Sequence, residues 1–437
     1  MNPVSEERRP APKAISGPVR AANRLGFEVF ARLARLEPSS NLCLSPSGLA
    51  FTLGMSLSSA RGPTQTALAK ALGLHPGIGH DRMASWRRVL LEPDPAVQLT
   101  LASSIWSDVG ITLRPDVLAD LRRSYDARAA NLDFRDPSAI RTINEWVNRA
   151  TMGAITDVVS YLDPEARLLL IGALHFRGRW TRAFNRESTK DEIFHLPDGQ
   201  EFPQPMMKAS DEFQHFKTDE MEGLALPYGG GRWRMLVFLP SGEAPWTEVM
   251  AGLNVDAWDR WSRRLRKDQG TIVLPRFRLE SSLTLARVLN DLGLPMAVDV
   301  QLADFGGATI DTAPLTVGAL LQRVFVEVDE EGTEAAAATL MVQVVAWPPP
   351  SWQPFHMQVD RPFLFGIEDT YSDSLLFLGA VNDPRPAAGS QPAGASFVPP
   401  PGTPPEIARL SSLLGPGAGR SALLREPSGS DRCIHLE

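Results

Sequence analysis

The side chains in this chain that could act on another molecule are scattered. The seven histidines are His75, His80, His175, His195, His215, His356 and His435. None stands at metal-ligand spacing with another histidine and a carboxylate. There is no nucleophile elbow of the hydrolase kind. Gly229-Gly230-Gly231 lacks the Lys-Ser/Thr that a phosphate cradle needs and reads as a hairpin turn. The acidic run Asp329-Glu330-Glu331 closes a strand and forms no recognisable cleft. An enzyme is therefore disfavoured, and neither metal nor cofactor is expected. The chemistry that stands out is chemistry done to the chain. Glu330 to Pro362, EEGTEAAAATLMVQVVAWPPPSWQPFHMQVDRP, runs from a strand end through a glycine and very small residues to an apolar stretch and stiff prolines. Such a segment suits a bait that is an exposed loop in one state and a strand in another.

The elements around it must allow both states. Val324 to Asp329 is rich in β-branched and aromatic residues and reads as a strand. Glu330-Glu331-Gly332 breaks it, and Gly332 can take backbone angles closed to other residues. If the chain beyond became extended, Thr333, Ala335, Ala337 and Thr339 would share one face, with Glu334, Ala336, Ala338 and Leu340 on the other. The first set is small and uncharged and can slide under a packed layer. A one-residue slip would bury the Glu334 carboxylate, so register is specified. An alanine run more often forms a short helix. Val342, Val344, Val345 and Pro348-Pro349-Pro350 argue against a long one.

The hinge Glu330-Glu331-Gly332-Thr333-Glu334-Ala335-Ala336-Ala337-Ala338-Thr339 resembles that of inhibitory serpins. Ordered matches extend the resemblance over about Val19 to Pro384. They include Asn41-Leu42-Cys43-Leu44-Ser45-Pro46, Ile143-Asn144-Glu145-Trp146-Val147-Asn148, Phe176-Arg177-Gly178-Arg179-Trp180, Leu226-Pro227-Tyr228, Phe238-Leu239-Pro240, Leu274-Pro275-Arg276-Phe277, Ala303-Asp304-Phe305 and Arg361-Pro362-Phe363-Leu364-Phe365. The resemblance implies one α+β domain of the serpin fold. That fold has a large central mixed sheet, two further sheets, about eight to nine helices and an exposed reactive-centre loop at about 330–358. It also implies a protease inhibitor, not an enzyme.

By that resemblance a serine protease attacks the bait and forms an acyl-enzyme. The freed hinge side then inserts as a new strand and drags the protease with it. Extended at about 3.3 Å per residue, Glu330 to Ala346 spans roughly 55 Å. Counting from the hinge as family members do places the reactive bond at Ala346–Trp347, with Val345–Ala346 as its rival. Small apolar residues precede the bond, and no Arg or Lys lies between Glu334 and Pro354. The expected partner is an elastase-like or subtilisin-like serine protease with a small apolar primary pocket. A serpin-fold carrier that never inserts, and a substrate cut without trapping, are the alternatives. Trp180 matches the family tryptophan where the sheet opens. The chain departs from the family at its latch: Gly172 replaces Asn, Gln322 replaces His, and Gly48 replaces a serine three residues after Ser45. The expected latch is weaker, or uses Gln322 in another way.

Composition agrees with a large folded domain. The chain has 437 residues, 43% hydrophobic and 22% charged, which is ordinary for globular proteins. A net charge of −7 gives no general pull toward nucleic acid. Arg260, Arg263, Arg264, Arg266 and Lys267 could form a polyanion site, but flanking acids favour a solvated helix face. Cys43 and Cys433 make no disulfide framework. No apolar run is long enough to span a membrane and the N-terminus lacks a secretory core, so a cytoplasmic monomer is expected, extracellular only by another route. Three regions are expected: a loose segment 1–17, the serpin domain 18–384, and a Pro/Gly/Ser-rich disordered tail 385–437 with a brief helix at 407–414. Helices are expected at 19–36, 46–60 and 141–150, the last with Trp146 and Val147 facing inward. Strands are expected at 41–44, 99–106, 168–176, 232–239 and 271–279.

Overall fold

The computed structural model describes residues 13–75, 79–242, 244–294, 303–310, 315, 317–333 and 353–386, and the backbone of two short strands near the C-terminus. Helix α1 (Lys13–Leu36) buries Ile15, Val19, Ala22, Val29 and Phe30 at helical spacing. It begins six residues earlier than its pattern suggested. Pro18 reads as a helix boundary because it has no N–H, but burial of Ile15 and Val19 on either side carries the helix through it. After β1 (Leu42–Leu44) comes α2 (Pro46–Leu57), buried along its whole length. Ser45 caps it, its Oγ accepting from the Gly48 N–H, and Pro46 takes the first helical position. Gly26 lets α1 approach this end closely, since a Cβ there would fall 2.5 Å from Pro46.

The chain continues through α3 (Gly62–Ala71), α4 (Gly79–Leu90), β2 (Val97–Asp108), α5 (Pro115–Asp120), β3 (Arg128–Leu132), α6 (Ser138–Ala150) and β4 (Leu168–Arg179). On α6, Val147 is fully buried, while Trp146 is half-buried and meets Trp106 edge-on at 5.9 Å. Strand β4 is buried on both faces for nearly its whole length, as its unbroken apolar sequence requires. Next come β5 (Lys190–His195), β6 (Glu201–Lys217), β7 (Met221–Tyr228) and β8 (Trp233–Pro240). Gly229 to Gly231 turn β7 into β8, with left-handed φ values at Gly229 and Gly231. Then follow α7 (Trp246–Gly252), α8 (Val255–Ser262), β9 (Arg266–Pro275), β10 (Phe277–Thr284), α9 (Ala286–Asp291), β11 (Ala319–Val328), β12 (Gly332–Thr333), β13 (Phe355–Gln358), β14 (Phe363–Asp369) and β15 (Ser374–Val381).

The expected single strand at 271–279 is two strands. The chain breaks at Arg276 and passes from one sheet to the other. The expected loop also ends earlier than 358, because Phe355–Gln358 pairs in parallel with β9. The basic cluster is no single helix face. Arg260 lies on α8, Arg263 and Arg264 follow it, and Arg266 and Lys267 open β9. Arg263 pairs with Asp259 at 3.8 Å and Lys267 with Glu212 at 2.9 Å.

The strands of this body form two sheets among the described residues. The mixed six-stranded sheet has the order β10-β11-β12-β4-β2-β3. The other runs β1-β15-β14-β8-β7-β6-β9-β13, with β5 also on β6. The two further sheets expected from the resemblance are one continuous sheet here, joined through β6, whose last residues pair with β7 while the rest serves β5 and β9. Residues 391–437 cluster separately and contain a two-stranded ladder, β16 (Leu423–Arg425) with β17 (Asp431–Cys433). The expected helix at 407–414 lies outside the described residues.

Candidate functional site: the sheet entry and its latch

The site is the seam between β4 and β11, where an extra strand would have to enter. The two strands pair directly in parallel from Leu169–Ala319 to His175–Phe325. Beyond that point they part, and β12 sits between them: Val328 faces Thr333, Thr333 faces Gly178, and Gly332 faces Arg179. The first residues of the hinge therefore already occupy the entry. This differs from a wholly exposed loop. Thr333 is 0% exposed, Glu330 1% and Glu331 7%.

Local chemistry explains the seating. Asp329 makes the turn: its Oδ1 accepts from the N–H groups of Glu331 and Gly332, and its own N–H donates to the Gly332 carbonyl. Gly332 is obligatory, because a Cβ there would lie 2.0 Å from the Gly178 carbonyl oxygen. The Thr333 hydroxyl and the Tyr228 hydroxyl hydrogen-bond at 2.6 Å inside the protein. Trp180 stacks on Tyr228, ring centroids 4.3 Å apart, and its indole N–H donates to the Asp329 carbonyl. Its backbone N–H donates to the Glu331 carbonyl. Trp180, 6% exposed, is thus both a core aromatic and a clamp on the turn.

Two arginines hold the carboxylates. Arg276, freed by the break between β9 and β10, donates to Glu330 Oε1 at 2.8 and 2.5 Å, and Thr189 Oγ1 donates to the same oxygen. Arg186 pairs with Glu331 at 2.7 Å. Burial pushes the Glu330 carboxyl up, but the Arg276 and Thr189 hydrogen bonds outweigh it and hold it below the usual range. Burial raises both Asp329 and Glu331. Glu331 is raised further by the charges of Asp329 and Glu330, against Arg186. None of these partners sits near the hinge in sequence. The composition Glu-Glu-Gly signals a break, while burial of its carboxylates depends on arginines that no local pattern connects to it.

The latch lies lower on the same seam. Gln322 of β11 stands in register with Gly172 of β4. Its side-chain amide makes a two-way pair with the Ser45 backbone, accepting from the N–H at 2.9 Å and donating to the carbonyl at 2.8 Å. The Ser45 hydroxyl is taken by Gly48 N–H. A Cβ on Gly172 would fall 2.2 Å from Thr52 Oγ1, which is bonded to the Gly48 carbonyl. The amide therefore ties β11 to α2, and Thr52 fills the space that a side chain at position 172 would need. The structure thus places Trp180, Ser45, Gly48, Gly172 and Gln322 along one seam with Glu330 to Thr333. The remaining hinge residues Glu334, Ala335, Ala336, Ala337, Ala338 and Thr339 lie outside the described residues, as do Val345, Ala346 and Trp347 of the reactive bond.

Elsewhere, a cavity of about 780 Å³ opens between α1, α8 and strands β6, β8 and β14. Arg20, Asn23, Arg234, Trp258, Arg263 and Arg266 are among its walls. Among the described residues no three His, Cys, Asp or Glu side chains are grouped to hold a metal ion, and no helix is long and apolar enough to cross a membrane.

Comparison with known proteins places this geometry. Residues 20–384 match the family model for serpins, serine protease inhibitors. A serpin-like protein of Thermococcus kodakarensis is 33% identical over 374 residues, covering 84% of this chain and 86% of that one. The leukocyte elastase inhibitor of Sus scrofa is 31% identical over 378 residues, covering 83% of this chain and 99% of its own length. Among solved structures, native protease nexin-1 with heparin superposes with a TM-score of 0.77 at 26% identity, covering 85% of this chain and all of that one. With a closed parallel seam, a glycine hinge at its mouth and a family match from the first helix to the last strand of the body, the chain belongs to the serpin family.

Proposed function

We propose that this protein is a suicide-substrate inhibitor of a serine protease with a small apolar primary pocket, elastase-like or subtilisin-like, and that it acts as a monomer. One observation carries the reading. Gly332 and Thr333 already lie as the first rungs of a strand between β4 and β11, and the residues that follow are small enough to continue it. The protease serine Oγ attacks the Ala346 carbonyl carbon, the Ala346–Trp347 bond breaks, and the Trp347 nitrogen leaves with a proton from the protease's histidine. The ester joins the protease to Ala346. Zipping from Thr333 then separates β11 from β4 and carries the ester down the sheet before water can cleave it. New ladder hydrogen bonds and buried surface drive the step. The 31% identity to an elastase inhibitor supports the choice of pocket.

The test is incubation with a panel of elastase-like, subtilisin-like and trypsin-like proteases. A complex that survives boiling in detergent, with a released fragment whose mass begins at Trp347, is expected from the first two. A fragment beginning at Ala346 would select the rival bond. Cleavage without a complex would support a plain substrate. A second reading, a carrier of an amphipathic small acid, is favoured by the cavity between α1 and α8, whose walls include both arginines and Trp258. It gains if a carboxylate ligand binds there and no protease is trapped.

A further inference from the structure

The chain leaving α6 crosses one face of the mixed sheet before it becomes β4. Met152 meets Gln98 of β2, whose side-chain amide donates to the thioether sulfur at 3.0 Å. Five residues on, the Asp157 carbonyl accepts from Arg323 of β11. In the sheet β4 lies between β2 and β11, so residues 152–157 form a strap across β4. Asn144 of α6 clamps the far end, accepting from the Val158 and Val159 N–H groups at 3.0 and 2.9 Å and donating to the Val159 carbonyl at 2.9 Å. Thr151 holds the near end, its Oγ1 accepting from the Ile155 N–H at 3.1 Å.

Among the described residues Met152 carries the sulfur that solvent reaches. It is 43% exposed, while every other methionine described, from Met55 to Met357, is 3% exposed or less, and Cys43 is buried. Its φ of 54° is left-handed, a conformation that a long side chain keeps only where its contacts hold it. One of those contacts is the Gln98 amide, on a sulfur that accepts only weakly. Oxidation would turn this apolar side chain into a polar one. At 3.0 Å the nitrogen and sulfur leave no room for an oxygen between them. An oxygen on the lone pair that meets Gln98 displaces the amide, and one on the other lone pair draws the side chain toward water.

We propose that Met152 is a modification site for hydrogen peroxide, and that its sulfoxide releases the strap from β2. A sulfur lone pair attacks one peroxide oxygen, and the S–O bond forms as the O–O bond breaks. Sulfur is oxidised by two electrons, and the second oxygen leaves as water with both hydrogens. Any effect on strand entry beside β4 rests on the function proposed above; the site and the loosening of the strap do not.

The experiment treats the intact full-length protein with dilute hydrogen peroxide. It reads sulfoxide at each methionine by peptide mass mapping, and hydrogen exchange in the strap. Met152 should be oxidised at least about tenfold faster than Met55, Met83, Met207 or Met357, which react only when the fold opens. In the Met152 sulfoxide, protection of the Gly153, Ile155, Val158 and Val159 amides should fall about threefold, as for the loss of one weak hydrogen bond, while β14 amides hold theirs. Methionine sulfoxide reductase should restore it. Gln98→Ala should show the lowered protection before peroxide and no further drop after it. Met152→Leu should give no response to peroxide, which separates this site from Met341 of the bait segment. Oxidation of Met152 no faster than that of the buried methionines, unchanged strap protection in its sulfoxide, or an undiminished response in either variant would overturn the proposal. Failure to trap a protease would leave these readings unchanged and would count only against the inhibitor reading.

Discussion

In the proposed mechanism, Thr333 is the residue on which entry of the loop turns. It is fully buried and its hydroxyl is bonded to Tyr228, so the slot accepts a small neutral side chain. Thr333→Arg must either bury a charge, at a cost above about 3 kcal/mol, or leave the slot. The expected outcome is loss of the detergent-stable complex with cleavage retained, read on a gel against wild type. Glu330 supplies the other half of the grip. Its carboxyl lies below the usual range in the folded state, so the stability it contributes is fully present above the ordinary carboxylate value of 4.5. That contribution is lost as pH falls through the lowered folded value. Glu330→Gln should cost about 2 kcal/mol at pH 7. Denaturant midpoints of variant and wild type should converge as pH falls below about 4. A constant gap at all pH values would mean that the Arg276 pair does not set it.

At the scale of elements, the seam is latched from one side. Gln322 binds β11 to the start of α2 through the Ser45 backbone, while Gly172 gives β4 no side chain with which to hold it. Gln322→Ala should leave the buried Ser45 N–H without its partner and lower stability by about 2 kcal/mol in urea unfolding. Gly172→Asn should overpack against Thr52 and cost about 1–3 kcal/mol, and adding Thr52→Ala should recover most of it. If the double variant is no better than the single, Thr52 does not occupy that space in solution. Much of this level was legible in the sequence. The helix starting at residue 46, the strand at 168–176 and the hairpin at Gly229 to Gly231 were expected and are present. What was not legible depended on distant partners. The start of α1 depends on burial of Ile15 and Val19 against the body, which carries the helix through Pro18. The strand break at Arg276 has a local signal in Pro275, which has no N–H for the ladder, but nothing local shows that the break frees the guanidinium that reaches Glu330. Gln322 was visible as a departure from the family, but its two-way bond to Ser45 lies 277 residues away in sequence.

At the scale of the whole molecule, the proposed insertion requires a metastable starting state. The intact chain holds a sheet closed in parallel over most of one seam and wedged open at the mouth by two residues of its own hinge. A strand supplied by residues 333–346 would satisfy both flanking strands along their length. Each added ladder bond contributes about 1 kcal/mol. A dozen such bonds, in a body of this size, correspond to a rise in melting temperature on the order of 10 °C or more. The most direct measurement is calorimetric melting of the full-length protein before and after a single nick at the Ala346–Trp347 bond, at one pH and one concentration. If the loop inserts, the nicked protein melts at least about 10 °C higher than the intact one. A nicked form that melts at or below the intact temperature would contradict it.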